Sequence, residues 1–208
     1  MKNILISIKP KYVANILNGE KTIEIRKTMP KCDLPIDVYI YVTQDKGKGW
    51  CMVGVNGNKS YYQPYSEEAV YSPNHNYIGN GEVVAKFTLN KVEKFGVDID
   101  CVYDIWQEID KTCLTEKEIC DYILGKDYFQ NVGYAWHISN LVIFDKPKEL
   151  SEFYKGFRNQ YYKREFGIDT HIDNYGVMIQ PTKNGYEYTH KLTKAPQSWC
   201  YVEVEENE

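Results

Sequence analysis

Gly19-Glu20-Lys21-Thr22-Ile23-Glu24-Ile25-Arg26-Lys27 decides how this chain is read, because it interleaves charged side chains with isoleucines on what reads as a half-buried strand. Buried ionic groups are costly unless paired, so such a strand usually lines a polar cleft. The residues before it fit that reading. Asn3-Ile4-Leu5-Ile6-Ser7-Ile8 reads as a strand, and Pro10 is suited to the first position of a helix. Val13, Ile16 and Leu17 then recur at helical spacing, and Gly19 closes the helix.

Simple alternation would put Lys21, Ile23 and Ile25 on one face of the charged strand and Thr22, Glu24 and Arg26 on the other. A bulge after Gly19 and Glu20 would instead bring Lys21 into the same cleft as Glu24 and Arg26. Lys21, partly withdrawn from water, is a candidate base or nucleophile; its other reading is a lysine snorkelling from the sheet end to a carboxylate. Glu24 and Arg26 share a face, and Arg26 offers planar donors to a phosphate or a base edge. Their competing reading is a structural ion pair. Ser7, Lys9 and Tyr12 sit where the first strand hands over to the helix, so free backbone amides there suit an anion.

This order of strand, short helix and Gly-x-Lys-x-x-Glu-x-Arg strand resembles the ASCH (activating signal cointegrator homology) family, in its phage or bacterial type, a branch of the PUA-like β-barrels associated with RNA. Asp37-Val38-Tyr39-Ile40-Tyr41-Val42 and Gly81-Glu82-Val83-Val84-Ala85-Lys86-Phe87 are the strands expected next, and Tyr134-Ala135-Trp136-His137-Ile138-Ser139 is similar to the family's closing segment. Ala195-Pro196-Gln197-Ser198-Trp199-Cys200-Tyr201-Val202 is similar to the ending of phage-type members. The resemblance implies an α+β fold: a PUA-like β-barrel with flanking helices and a C-terminal extension. The expected organisation is a single domain over 1–208 with its core at about 1–150, and a C-terminal helix and tail (151–208) packed on it.

For function, the resemblance implies a cleft that binds RNA or a modified nucleoside; the residues themselves put Ser7, Lys9, Tyr12, Lys21, Glu24, Arg26, Trp136 and Ser139 forward as its contacts. Trp136 is either a stacking platform or a core residue, and Ser139 a polar contact. The alternative is an amidohydrolase acting on an acylated nucleoside such as 4-acetylcytidine, with Lys21 and Glu24 catalytic; some family members have also been assigned ribonuclease activity. Relatives of that hydrolase type carry a threonine where this chain has Glu24, and a distant glutamate for which Glu82, Glu116 and Glu118 are candidates.

Composition narrows the partners. The chain has 208 residues and a net charge of −4, which argues against a surface that binds polyanions everywhere. The charge is uneven. Residues 1–31 hold seven Lys or Arg against two Glu, while residues 98–121 hold eight Asp or Glu against two Lys. A small basic mouth on an acidic body suits a nucleotide or a short loop of RNA better than a long duplex. Six scattered cysteines, no signal peptide and no membrane-spanning run read as a cytoplasmic protein with reduced thiols. No metal or cofactor motif is present.

Residues 56–80, rich in Asn, Gly, Ser and Tyr, read as a long loop whose Tyr61, Tyr62, Tyr65, Tyr71 and Tyr77 are suited to stacking on bases or anchoring the loop. Thr115 and Glu118 form a capping-box pattern ahead of Ile119, Tyr122 and Ile123. Phe153, Phe157 and Tyr161 are four apart and predict a helix from Ser151 to about Glu165. Together with the tyrosine-rich insertion, that helix would equally serve a protein-interaction module.

Overall fold

A computed structural model describes residues 3–44, 51–56, 59–64, 76–79, 81–125, 131–158, 171–172, 178–182 and 185–204. The first elements are β1 (Asn3–Ile8), α1 (Pro10–Leu17), β2 (Ile23–Arg26) and β3 (Ile36–Val42). Pro10 stands at the start of α1, where its missing N–H costs nothing, and Val13, Ala14, Ile16 and Leu17 are buried. Gly19 takes a left-handed conformation (φ 76°) and turns the chain out of the helix. The amides of Glu20 and Lys21 both donate to Asn15 O, which holds that turn against the helix.

After β4 (Cys51–Asn56), β5 (Lys59–Pro64) and β6 (Asn76–Gly79) come β7 (Val83–Gly96), α2 (Glu116–Leu124) and β8 (Val132–Lys148). The chain finishes through β9 (Phe153–Arg158), β10 (His171–Ile172), β11 (Met178–Thr182), β12 (Gly185–Lys191) and β13 (Trp199–Val204). Ten strands form one mixed sheet in the order β10-β11-β12-β9-β13-β1-β3-β7-β8-β2. β1 is parallel to β3 and antiparallel to β13. The fold is therefore α+β with few helices. The backbone pairing among the described residues is linear rather than a closed ring: β2, at one end, pairs only with β8.

Three apolar clusters fill the interior. One lies between α1 and the β1–β3–β7 sheet around Ile4, Ile6, Val13, Ile40 and Phe87. A second packs α2 through Ile119, Cys120, Ile123 and Leu124 against Ile23, Ile25 and Phe95. The third, on the other face, gathers Leu5, Tyr39, Tyr41, Phe153 and Val202. The capping box expected at α2 is present: Glu118 N donates to Thr115 Oγ1 at 3.2 Å, and Thr115 N to Glu118 Oε2 at 2.8 Å.

Two expectations change. The helix predicted from Ser151 is a short 3-10 turn, Leu150–Glu152, followed by strand β9. Phe153 is fully buried with its ring 5.1 Å from that of Tyr39, and β9 bonds to β13 and β12 on its two sides. Sheet pairing has overridden the four-residue aromatic spacing, in keeping with the strand preference of aromatic residues. The stretch expected to be a long loop carries β5 and β6, which flank β4 in a separate antiparallel sheet. Tyr61, Tyr62 and Tyr77 fall on these strands, whereas Tyr65 and Tyr71, like Tyr161, lie outside the described residues. Among the described residues no helix is long and apolar enough to cross a membrane.

Candidate functional site

All the polar or charged residues buried among the described ones gather in one place: Ser7, Lys21, Glu24, Arg26 and Thr112. They come together because β2 is short and its outer edge has no strand partner. Lys21 lies before β2 begins, and the turn at Gly19 brings it beside Glu24, as the bulged alternative anticipated.

Lys21 Nζ is 3.2 Å from Glu24 Oε2 and donates to Thr112 O at 2.6 Å. It also lies 5.6 Å from the centre of the Tyr12 ring. Glu24 Oε1 is 3.0 Å from Arg26 Nη2, so a single carboxylate bridges two cations. Arg26 in turn ties β2 to β1, a strand with which it has no backbone ladder. Its Nη2 donates to Ser7 O at 2.9 Å and its Nη1 to Ser198 Oγ at 3.3 Å, while its buried Nε has no hydrogen-bond partner among the described residues. Such ionic chains hold only when their Coulomb attraction is reinforced by further hydrogen bonds, as here.

This chain of charges forms the floor of a cleft of about 630 Å³. One wall is the end of β1 and the start of α1, with Ser7, Lys9 and Tyr12. A further part of the lining comes from α2, with Glu118, Asp121 and Tyr122, and the segment before β13 adds Gln197 and Ser198. Ser7 anchors that last segment, because Ser7 Oγ donates to Pro196 O at 2.6 Å and Ser7 N to Ser198 O at 2.9 Å.

The cleft shifts the titration of its walls. Burial, followed by the negative charges of Glu118 and Glu24, raises the Tyr12 hydroxyl above its ordinary value. Tyr122 is raised chiefly by burial, opposed by Arg26. Glu118 is held below the ordinary carboxylate value by its hydrogen bonds from the Thr115 amide and hydroxyl. Both tyrosines are therefore neutral, hydrogen-bonding aromatics at physiological pH.

Of the residues expected from sequence to bind a ligand, six meet here: Ser7, Lys9, Tyr12, Lys21, Glu24 and Arg26. Trp136 and Ser139 do not. Trp136 is completely buried, donates Nε1–H to Thr28 O at 3.2 Å and packs edge-on against Trp199, so its faces are closed to any base. Ser139 Oγ donates to Thr88 O at 2.7 Å across the β7–β8 ladder. Of the glutamates considered as a distant partner, Glu118 lines the cleft, while Glu82 and Glu116 do not. Tyr122, Thr112, Thr43, Gln197 and Ser198 were not anticipated. The capping box foretold the helix that carries Tyr122, but not the face it presents.

Metal-ligating side chains converge away from the cleft. One atom each of Glu93, Glu108 and His137 lie within 4.8 Å of one another. Glu93 is also paired with Lys91 at 2.9 Å and Glu108 with Lys111 at 2.7 Å, and His137 Nε2 meets Glu93 Oε2. The group is thus already an ion-pair network, and His137 serves it as a structural partner.

Comparison with known proteins gives one family match: a model of the ASCH domain matches residues 6–148. Similar solved structures include the crystal structure of ASCH from Zymomonas mobilis, with 17% identity, a TM-score of 0.45, and coverage of 71% of this chain and 73% of that one. A serine-to-alanine variant of the same Zymomonas mobilis protein aligns with 14% identity and a TM-score of 0.45, covering 97% of this chain and 88% of that one. No curated protein matches the sequence.

Proposed function

The chain belongs to the ASCH domain family, and on that premise we propose that its cleft binds RNA or a modified nucleoside, with Lys9, Tyr12, Lys21, Glu24 and Arg26 as contacts. The observation that carries this reading is the convergence of four of the five buried polar residues, Ser7, Lys21, Glu24 and Arg26, on the lining of one open cleft. A sheet that needed only stability would do as well or better with apolar residues there. The cleft is the seam between β2 and β1, the place where a PUA-like barrel would close, bridged by the Arg26 side chain instead of a backbone ladder. The aromatic side chains of Tyr12 and Tyr122, both on the lining of the cleft, suit a planar base, as single-stranded RNA recognition requires.

Ligand-observed NMR with a panel of ordinary and modified nucleosides and short RNAs tests the assignment, run on the natural protein and on the Lys21→Ala, Arg26→Ala double variant. Unchanged affinity in a folded double variant refutes it.

The contact between Lys21 Nζ and Glu24 Oε2 also supports a second reading, hydrolysis of an acylated nucleoside, in which an amine and a carboxylate share a buried site. Incubation with 4-acetylcytidine decides this one. Absence of deacetylation at high protein concentration removes it.

A further inference from the structure

Apart from the buried Arg26 Nε, which has no hydrogen-bond partner among the described residues, the ionic floor of the cleft is closed upon itself. Lys21 is engaged by Glu24 and Thr112 O, and Arg26 by Glu24, Ser7 O and Ser198. A ligand above it meets a rigid surface whose cations already have counter-charges. Discrimination between ligands therefore falls to polar groups on the lining that have no partner among the described residues, and three stand out: Lys9, Thr43 and Gln197.

Topology sets these three in a row. β13, β1 and β3 are neighbours in that order. Lys9 follows the end of β1, and Thr43 follows the end of β3, where Ile8 is opposite Val42 and Thr43 N donates to Ile8 O at 2.9 Å. Gln197 precedes β13 and is brought alongside by the bond from Ser7 N to Ser198 O. Adjacent strands are about 4.8 Å apart, so the three backbones that carry these residues span roughly 10 Å, with Lys9 level with Thr43 and Gln197 one residue out of step with them. Lys9 and Gln197 are both exposed. Three chemistries are offered side by side: an ammonium for a phosphate, a hydroxyl that donates or accepts, and a carboxamide with one donor beside one acceptor.

We propose that Gln197 is the specificity-determining residue of the cleft, reading the hydrogen-bonding edge of a nucleobase in single-stranded RNA while Lys9 takes the adjacent phosphate. The inference rests on the cleft reading given above. A carboxamide pairs side by side with a base edge that presents a donor next to an acceptor, and such a bidentate pair separates right from wrong bases by roughly 5- to 150-fold. Gln197 lies outside the 6–148 segment that the family model matches, so base preference would be a property added by this chain's C-terminal segment.

The test measures fluorescence anisotropy of four labelled tetraribonucleotides, one for each base, with the natural protein and its Gln197→Ala, Gln197→Glu, Lys9→Ala and Lys21→Ala variants. Gln197→Ala is expected to weaken the preferred oligonucleotide roughly tenfold and to level the four affinities. Gln197→Glu, which presents two acceptors, is expected to move preference toward guanine, whose N1–H and N2–H donate side by side, and away from uracil. Lys9→Ala should weaken all four alike and reduce the salt dependence by about one counterion. The same base ranking in both Gln197 variants, with binding still lost in Lys21→Ala, overturns the inference and leaves the cleft reading intact. No binding of any oligonucleotide by the natural protein overturns both.

Discussion

Replacing Lys21 by Met removes one charge from the buried chain but keeps an unbranched stem against Tyr12. The Lys21 side chain is 1% exposed and the Glu24 side chain 9%, so water cannot replace what is lost. Two groups suffer. Thr112 O loses its 2.6 Å donor, and Glu24 Oε2 loses its cation while Oε1 keeps Arg26 at 3.0 Å. Breaking a buried pair from one side costs about 3–5 kcal/mol, and the surviving Arg26 contact places Lys21→Met at the lower end, about 3 kcal/mol. For a chain of this size that is roughly 6–12 °C in Tm. Glu24→Gln should cost more, about 4 kcal/mol, because it leaves Lys21 and Arg26 facing each other without the carboxylate that bridges them. Once Glu24 is gone, losing Lys21 relieves a repulsion, so the double variant should fall short of the sum by about 1–3 kcal/mol. Urea unfolding at neutral pH, with the slope m checked for constancy, gives all three values. A loss below about 1 kcal/mol in either single variant, or simple additivity in the double, refutes the reasoning that this is a coupled, desolvated ionic chain.

Other outcomes follow from single contacts. Gly133→Ala would put a Cβ 2.3 Å from Phe95 Cζ, and Phe95 is 1% exposed in a packed cluster, so a loss of about 1–3 kcal/mol is expected in thermal unfolding; an unchanged Tm would show that the ring yields freely. Thr115→Ala should destabilise by about 1 kcal/mol at pH 7 through loss of the α2 cap. Because Glu118 titrates below its ordinary value of 4.5, its contribution is present above that pH and is lost as pH falls through the lowered value; Thr115→Ala keeps the backbone amide that donates to Glu118 and removes only the hydroxyl, so an NMR titration should find the Glu118 carboxyl moved partway back up, and no movement refutes a role for the hydroxyl in lowering it. Ser7→Ala removes the 2.6 Å bond to Pro196 O, and should speed hydrogen exchange of the Ser7 amide, which donates to Ser198 O, by roughly fivefold, equivalent to about 1 kcal/mol. Unaltered exchange would mean the segment before β13 is held without it.

The local grammar of this chain was readable where the signals are local. Pro10 and Gly19 bracket α1, Thr115 and Glu118 open α2, and the strand at Ile23–Arg26 carries the charges that mark the site. Lys21 escaped simple alternation because the strand starts only at Ile23, which the sequence could offer only as an alternative. The errors came from context. Phe153 and Phe157 sit at helical spacing, yet they fall on a strand flanked by β12 and β13, partners 30 or more residues away in sequence. Of the two readings the sequence left open for Trp136, stacking platform or core, the structure has the core, closed by Trp199 from a segment more than 60 residues away. Tyr122 and Gln197 reach the cleft only because α2 docks on the β2 side of the sheet and the segment before β13 crosses the end of β1. No spacing rule within either segment encodes that.

The pairing of β1 with β13 also sets an order of events during synthesis. Asn3 is opposite Val202, and the Ser7–Pro196 bond closes a separation of 189 residues. β1 is made long before one of its two neighbours. Contacts of such long sequence separation slow folding, because a large loop must close before any of them is gained. Until residues 195–204 are released from the ribosome, β1 has one open edge, Arg26 lacks Ser198, and the cleft lacks a wall. The site is therefore completed only once the segment around β13 has emerged, and a nascent chain that lacks it cannot hold ligand in the geometry of the folded protein.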